Sequence, residues 1–316
     1  MKIVLLGYNT VTNGDVDYTI YKDLGDFKYY NILTENEICK AVEDADAILV
    51  NRSIISEKVI SSAKKLKYVG SLATGYNNID IAAAKKCGVT VTNVPEYSTE
   101  AVASQTVGFI LALCLQLVTY NEHVANGGWR FDNDSDCFPF KTYELKGKML
   151  GIFGFGNIGK RVAEIANCLG MKVIFCSKSH HTSNIAEEVD FDTLLKKSDF
   201  LTIHAPLNAQ TKGVFNKSAF EKMKPSAYLI NTARGSLCVE KDLRDALENK
   251  IIAGAAIDVV ANEPLEDNGV MFGAPNCIIT PHVAWGAIET RKRLAEIAYD
   301  NLKSFIEGNP KNVVEE

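Results

Sequence analysis

The sequence contains no CxxC pair and no cluster of cysteines with histidines, although it carries eight cysteines and five histidines. That spacing speaks against a zinc site and against a disulfide framework, and scattered thiols suit a reducing compartment such as the cytoplasm. No metal is expected. Positive charge is not in excess either. A formal net charge of −5 argues against a general nucleic-acid binder and against attachment to an anionic membrane. No leader is expected before the fold, because Met1 runs directly into the strand-like Lys2-Ile-Val-Leu-Leu6. Long apolar runs are nearly absent. The exception, Ala101 to Thr119, has no formal charge but includes Ser104, Gln105, Gly108 and Gln116, and its length is marginal for a membrane span. It reads as a helix buried between domains or subunits.

What is present centres on Lys148-Met-Leu-Gly-Ile-Phe-Gly-Phe-Gly-Asn-Ile-Gly159. Met149 to Phe153 reads as a buried strand that enters Gly154-x-Gly156-x-x-Gly159. A helical pattern follows from Lys160 to Leu169, Gly170 closes it, and a second strand spans Lys172 to Cys176. A dinucleotide site needs this order. Gly154 permits the tight turn, Gly156 lets backbone approach a pyrophosphate, and Gly159 lets helix and strand pack closely. The helix N-terminus then turns its N–H groups toward the anion. Phe155, Asn157 and Ile158 belong to the same cofactor loop.

The 316 residues allow two α/β domains. Strand patterns at Lys2–Leu6, Phe27–Leu33, Ala47–Asn51, Tyr68–Ala73 and Val89–Val94 alternate with helical stretches. Thr34-Glu-Asn-Glu37 is a capping box opening a helix to about Asp44, and Asp80 caps another that ends at Gly88. A long helix, about Thr99 to His123, leads to a loop-like segment over 126–147 that includes Asp132 to Asp136. A second set of strands follows at Met149–Phe153, Lys172–Ser177, Phe200–Ala205, Tyr228–Thr232, Ala253–Val259 and Cys277–Thr280. Glu43 to Asn51 echoes Lys196 to His204, as two similar domains would, or as chance would at so common a junction. An amphipathic helix from about Glu289 to Glu307 is expected to pack back on the first domain. The expected fold is α/β with two doubly wound parallel sheets: a Rossmann dinucleotide-binding domain over 99–286, inserted into a flavodoxin-like substrate domain formed by 1–98 and 287–316.

Ligands of such sheets bind beyond the carboxyl ends of the strands. Polar residues there are Ser177-Lys178, His204-Ala205-Pro206, Asn231-Thr232-Ala233-Arg234-Gly235, Asp258 with Glu263-Pro264, and Pro281-His282. Arg234 offers a planar guanidinium to a carboxylate. His282 can give and take a proton near neutral pH, and Glu263 beside it would orient the ring and support its protonated form. Each has a plain structural reading as well: a surface ion pair, a satisfied histidine, a solvated loop acid.

Asn231 to Gly235, Asp258-x-x-x-x-Glu263-Pro264 and Pro281-His282, all downstream of the glycine loop, resemble the D-isomer-specific 2-hydroxyacid dehydrogenases. The resemblance covers nearly the whole chain and includes Ala73-Thr-Gly-Tyr-Asn-Asn-Ile-Asp80 and Thr92-Asn-Val-Pro95. Within the family, Leu72-Ala-Thr-Gly75, Val94-Pro-Glu-Tyr-Ser-Thr99 and Pro281-His-Val-Ala284-Trp285 look most like glycerate dehydrogenases, also called hydroxypyruvate reductases. The resemblance implies hydride transfer from a nicotinamide to a 2-oxo acid, with His282 as proton donor, Glu263 supporting it and Arg234 pairing with the substrate. It implies a carboxylate nest at Ala73, Thr74 and Gly75 with Arg52 nearby, Trp285 beside the substrate, and closure of the first domain over a cleft. On the cofactor side it places His204, Ala205 and Pro206 at the adenosine end and Asp258 at the carboxamide, with Thr232, Ala233 and Ala284 lining the site.

The dinucleotide fingerprint expects an acid at the end of its second strand. Here that position is Ser177, followed by Lys178, with His180 and His181 close behind. NADP(H) is therefore favoured over NAD(H). The substrate is expected to be a small molecule, with no nucleic-acid or membrane partner. A homodimer built on the apolar helix is expected from both its composition and the resemblance. The alternatives are a short 3-phosphoglycerate dehydrogenase, for which Arg52 is the obvious first-domain phosphate partner and no appended regulatory domain remains, and a corepressor-like nicotinamide sensor.

Overall fold

The computed structural model describes residues 1–130 and 137–314; the acidic stretch Asp132 to Asp136, read above as part of a loop, lies outside them. The chain forms two compact units, residues 1–98 with 286–316, and residues 99–285.

In the first unit β1 (Lys2–Leu6), β2 (Asp26–Tyr30), α1 (Glu35–Ala41), β3 (Ala47–Val50), α2 (Glu57–Ser62), β4 (Tyr68–Ser71), α3 (Ile81–Lys86) and β5 (Thr90–Thr92) follow in order. The strands are all parallel in the order β2-β1-β3-β4-β5, which is the flavodoxin-like arrangement. The Thr34–Glu37 capping box forms at α1, and the Asp80 side chain accepts from Ala83 N at 2.9 Å at α3; each such cap contributes about 1 kcal/mol. One face of the sheet packs Val4, Ile48 and Val69 against Ile38, Val42, Val59 and Ala84. The C-terminal helix, Ile288–Ile306, buries Leu294, Ala295, Ala298 and Leu302. It joins the same unit through Tyr21 Oη, which donates to Ala295 O at 3.1 Å, and through the Tyr68 and Phe305 rings, 5.0 Å apart.

The second unit contains α4 (Thr99–Leu115), α5 (Leu117–Ala125), β6 (Met149–Phe153), α6 (Asn157–Cys168), β7 (Lys172–Cys176), β8 (Glu187–Glu188), α7 (Phe191–Lys197), β9 (Phe200–Ile203), α8 (Lys217–Lys222), β10 (Tyr228–Asn231), α9 (Glu240–Glu248), β11 (Gly254–Ile257) and β12 (Cys277–Ile279). Its seven-stranded parallel sheet has the order β12-β11-β10-β9-β6-β7-β8, so the direction of winding reverses at β6, the dinucleotide-binding topology. One face packs Phe109, Ile110 and Leu113 of α4 with Val162 and Ala166 of α6. The other packs Leu194, Phe220, Leu243 and Leu247.

Three expectations need correction. The strand β8 is absent from the sequence reading, because two consecutive glutamates carry no strand pattern; they pair with Ile174 and Phe175 at the sheet edge. Several strands also stop short. β9 ends at Ile203 and β11 at Ile257, with one further bond to the neighbouring strand beyond each, from His204 N to Phe153 O at 2.7 Å and from Asp258 N to Asn231 O at 2.9 Å. The long helix is two, bent by 57°. Gln116 takes a left-handed backbone, φ 53°, and its Nε2 donates to the terminal carbonyl of Leu113 at 2.9 Å. No glycine or proline marks that break. α4 is buried in the core of its own unit, whereas α5 buries no residue and exposes Leu117, Val118 and Val124. Among the described residues no single helix is long and apolar enough to cross a membrane; only the bent pair taken together reaches that length and composition.

Candidate active site

The glycine loop joins β6 to α6, and its three glycines meet three different demands. Gly154 has φ 96°, and a Cβ there would lie 2.6 Å from Ala205 N. A Cβ on Gly159 would lie 2.3 Å from Gly154 O, so helix and loop touch backbone to backbone. Around Gly156 nothing lies within 4 Å of the Cβ position, which leaves room for an approaching phosphate at the start of the helix. Asn157 and Ile158 form the first turn of α6. The Phe155 side chain does not face this space: it is 2% exposed and stacks on Phe175 with centroids 3.9 Å apart. Only its backbone is available to a cofactor.

Ser177 and Lys178 follow β7, Ser177 half-buried and Lys178 exposed. His180 Nδ1 lies 3.2 Å from the Glu188 carboxylate, so this imidazole is engaged by the overlooked strand β8. His181 sits edge-on to Phe155 and Phe175. Beyond β9, Ala205 is buried and Pro206 exposed. The His204 Nε2 is sealed without a hydrogen-bond partner among the described residues, and burial pushes the imidazole down to about 3, so it is neutral at physiological pH. Thr232 is buried, its Oγ1 3.0 Å from that of Thr106 on α4.

Arg234 stands on a turn shaped by Asn231. The Asn231 amide donates to Arg234 O at 2.9 Å and accepts from Ala233 N at 3.0 Å, and Arg234 Nη1 donates to Ala233 O at 2.8 Å. The next residue, Gly235, packs so closely on the segment after β11 that a Cβ would lie 2.0 Å from Val260 C. The turn carrying Arg234 thus rests on the loop carrying Glu263.

His282 and Glu263 meet. Nδ1 of the imidazole is 2.7 Å from Glu263 Oε2, with both side chains half-buried. His282 has φ 56°, a left-handed backbone that a non-glycine residue holds only when its surroundings impose it. Asp258 ties down the residues on either side of His282. This buried carboxylate accepts from Thr280 Oγ1, from Val283 N at 2.9 Å and from Ala284 N at 2.8 Å. The expectation for Asp258 was a cofactor contact, yet the geometry gives it a second task, since three donors flanking His282 converge on it. Thr280 is the member of this hydrogen-bond network that sequence reasoning passed over; its place one step before Pro281-His282 was the available signal.

The remaining candidates belong to the first unit, apart from the half-buried Trp285. The carbonyls of Ala73, Thr74 and Gly75 accept from Val94 N, Asn93 Nδ2 and Ser71 Oγ. Their N–H groups donate to no acceptor among the described residues, as a nest for a carboxylate requires. Arg52 is exposed at the end of β3, and the Asn78 amide holds the carbonyls on either side of it, Asn51 O and Ser53 O, both at 2.8 Å.

A doubly wound sheet with a glycine turn at its switch point and a His–Glu pair beyond its strand ends has the parts of a nucleotide-dependent oxidoreductase. Comparison with known proteins gives the class its family. Residues 107–284 match the D-isomer specific 2-hydroxyacid dehydrogenase, NAD binding domain. The chain is 38% identical to a hydroxypyruvate reductase of Blautia hydrogenotrophica, over 99% of both proteins. It is also 38% identical to a glycerate dehydrogenase of Methylorubrum extorquens, over 91% of both. A solved acyclic imino acid reductase in complex with NADPH and D-Arg superposes with a TM-score of 0.88 at 30% identity, covering 100% of both chains. The chain belongs to the D-isomer specific 2-hydroxyacid dehydrogenase family, an enzyme family that uses a nicotinamide cofactor.

Proposed function

We propose that the enzyme interconverts D-glycerate and hydroxypyruvate, also reduces glyoxylate, and prefers NADPH. The observation that carries the reading is the 2.7 Å pairing of His282 with Glu263 beyond the strand ends of the nicotinamide-binding unit. Glu263 holds Nδ1, which assigns proton exchange with the substrate oxygen to Nε2. In reduction the protonated His282, its charge offset by Glu263, donates that proton to the carbonyl oxygen and is left neutral; on the return path the neutral ring takes the proton back. Arg234 pairs with the substrate carboxylate or carbonyl, and within the first unit the nest at Ala73 to Gly75, with Arg52 nearby, is suited to a carboxylate. The nicotinamide supplies the hydride. The relatives named for hydroxypyruvate and glycerate, together with the compact Ala-Thr-Gly and Ala-Trp motifs, support a small substrate.

The cofactor preference rests on Ser177 and Lys178. An acid at position 177 would repel a 2′-phosphate, whereas a serine hydroxyl can donate to it and Lys178 adds charge. Structural relatives are solved with NADPH and with NAD, so the preference is read from these two residues alone. A homodimer fits the exposed apolar residues of α5 and the segment after it, where Trp129 and Phe138 are 71% and 89% exposed. Eight free thiols fit a cytoplasmic setting.

The test is kcat/KM for hydroxypyruvate, glyoxylate, pyruvate and phosphohydroxypyruvate with both reduced cofactors. Hydroxypyruvate and glyoxylate should lead, with NADPH ahead, and Ser177→Asp should move the cofactor ratio toward NADH. Faster reduction of phosphohydroxypyruvate would reverse the substrate assignment, and turnover of no 2-oxo acid would remove the enzymatic reading. Sedimentation as a monomer at micromolar concentration would remove the dimer.

A further inference from the structure

Glu263 lies on an irregular loop. After β11 ends at Ile257, the chain runs without helix or strand through residues 258–264, and a loop carboxylate keeps a 2.7 Å partner only if the backbone beneath it is fixed. Two contacts fix this one. The first is the backbone approach of Gly235 to Val260 already described. The second is the carboxylate of Glu240, whose Oε1 accepts from Ala261 N at 2.6 Å. Ala261 is two residues before Glu263. Glu240 is the first residue of α9, and α9 is seated in the core by Leu243, Ala246 and Leu247, each at most 2% exposed. The loop is therefore tied to a rigid element, and the tie arises from the segment that carries Arg234, six residues earlier in the chain.

We propose that Glu240 is a positioning residue for the His282–Glu263 pair, acting through the backbone of Ala261. It rests on the reading of His282 as proton donor. The plain alternative is that Glu240 is an acid in the first turn of α9, helping only through the helix dipole. The two make opposite demands. Positioning needs an acceptor at the right reach, which glutamine provides and aspartate, one methylene shorter, does not. The dipole needs a negative charge, which aspartate provides and glutamine does not.

The experiment compares Glu240→Gln, Glu240→Asp and Glu240→Ala in the full chain with NADPH and hydroxypyruvate. It reads kcat, KM, NADPH affinity and the downfield proton resonance of the His282 ring Nδ1–H, assigned by its loss in His282→Gln. Misplacement of a reacting group by about 1 Å costs on the order of a hundredfold, so Glu240→Asp and Glu240→Ala should lose about tenfold to a hundredfold in kcat and broaden or lose the resonance. KM and NADPH affinity should stay within about twofold, and Glu240→Gln should keep both rate and resonance. Parent-like kcat and resonance in Glu240→Asp, or a Glu240→Gln as impaired as Glu240→Asp, would overturn the proposal. Should Glu240→Ala fail to fold, the Gln and Asp pair still decides. Should the parent turn over no 2-oxo acid, the functional reading fails while the resonance still reports whether Glu240 governs the pair.

Discussion

β1 and β6 hold the same place in their sheets, and their surroundings match in detail. Each starts against an aspartate that precedes a neighbouring strand. Asp46 Oδ2 accepts from Lys2 N at 2.7 Å, and Asp199 Oδ2 from Met149 N at 2.8 Å. The N–H groups of the same aspartates return to Lys2 O and Met149 O at 2.9 and 2.8 Å. Each strand ends in a left-handed glycine, Gly7 at φ 77° and Gly154 at φ 96°. The two then part. After Gly7 comes a three-residue 3-10 turn, Tyr8–Thr10; after Gly154 comes the 12-residue helix α6. A helix of that length aims its first N–H groups at one point, and a short turn does not. The frame is shared, and the element that follows the glycine decides which edge takes a dinucleotide. The first edge is left with the nest at Ala73 to Gly75 and with Arg52, groups suited to a single carboxylate.

If that contrast is right, substitutions at equivalent places should have unequal effects on cofactor binding and similar effects on folding. The largest should come at the glycine turns. Gly154→Ala, at the position equivalent to Gly7, brings a Cβ to 2.6 Å from Ala205 N and should weaken NADPH binding at least about tenfold, or about 1.4 kcal/mol. Gly7→Ala would strain a left-handed residue and press on Thr10 Oγ1 at 3.2 Å, at about 1 kcal/mol of stability, with NADPH affinity unchanged. Calorimetric titration separates the two, and equal losses of affinity would erase the distinction between the edges.

Asp46→Ala and Asp199→Ala sharpen the shared part. Each leaves a strand-initiating N–H without its charged acceptor, worth roughly 1.5–3 kcal/mol. Asp199 should show the larger loss, because Lys224 Nζ is also 2.8 Å from it. Urea unfolding midpoints measure both; a neutral Asp46→Ala beside a costly Asp199→Ala would make the match superficial.

The smallest effect belongs to the first unit alone. Asp15 accepts a paired hydrogen bond from Arg291, which holds its carboxyl well below the usual carboxylate range. A value lower in the folded than in the unfolded chain adds stability that is present above the ordinary carboxylate range and disappears as the pH falls through the folded value. Asp15→Asn should lower the melting temperature by a few degrees at pH 7, and the gap should narrow as the pH falls below the ordinary carboxylate range. A gap independent of pH would mean that packing, not charge, holds this pair.

Much of this was legible in the sequence because local chemistry and tertiary structure agree there. The capping box at Thr34, the Asp80 cap and the strand Met149–Phe153 all formed where their patterns placed them. The glycine spacing foretold two distinct steric demands, the turn at Gly154 and the close packing at Gly159. What escaped notice depends on contacts between distant segments. The break at Gln116 carries no glycine or proline. The strand β8 is made of two acids, and its Glu188 occupies His180. The grip of Asp258 on Thr280, Val283 and Ala284, and of Glu240 on Ala261, joins residues about twenty positions apart, with no periodicity to announce them.

The central claim is that proton transfer occurs at His282, held by Glu263 and separate from the cofactor cradle. It is tested most directly by measuring kcat for hydroxypyruvate reduction and the NADPH dissociation constant in His282→Gln beside the parent. The account predicts a fall in kcat of roughly 10²–10⁴-fold, the usual worth of a positioned general acid, with the dissociation constant unchanged within about twofold. Parent-like turnover in His282→Gln, or a loss confined to NADPH affinity, would contradict it.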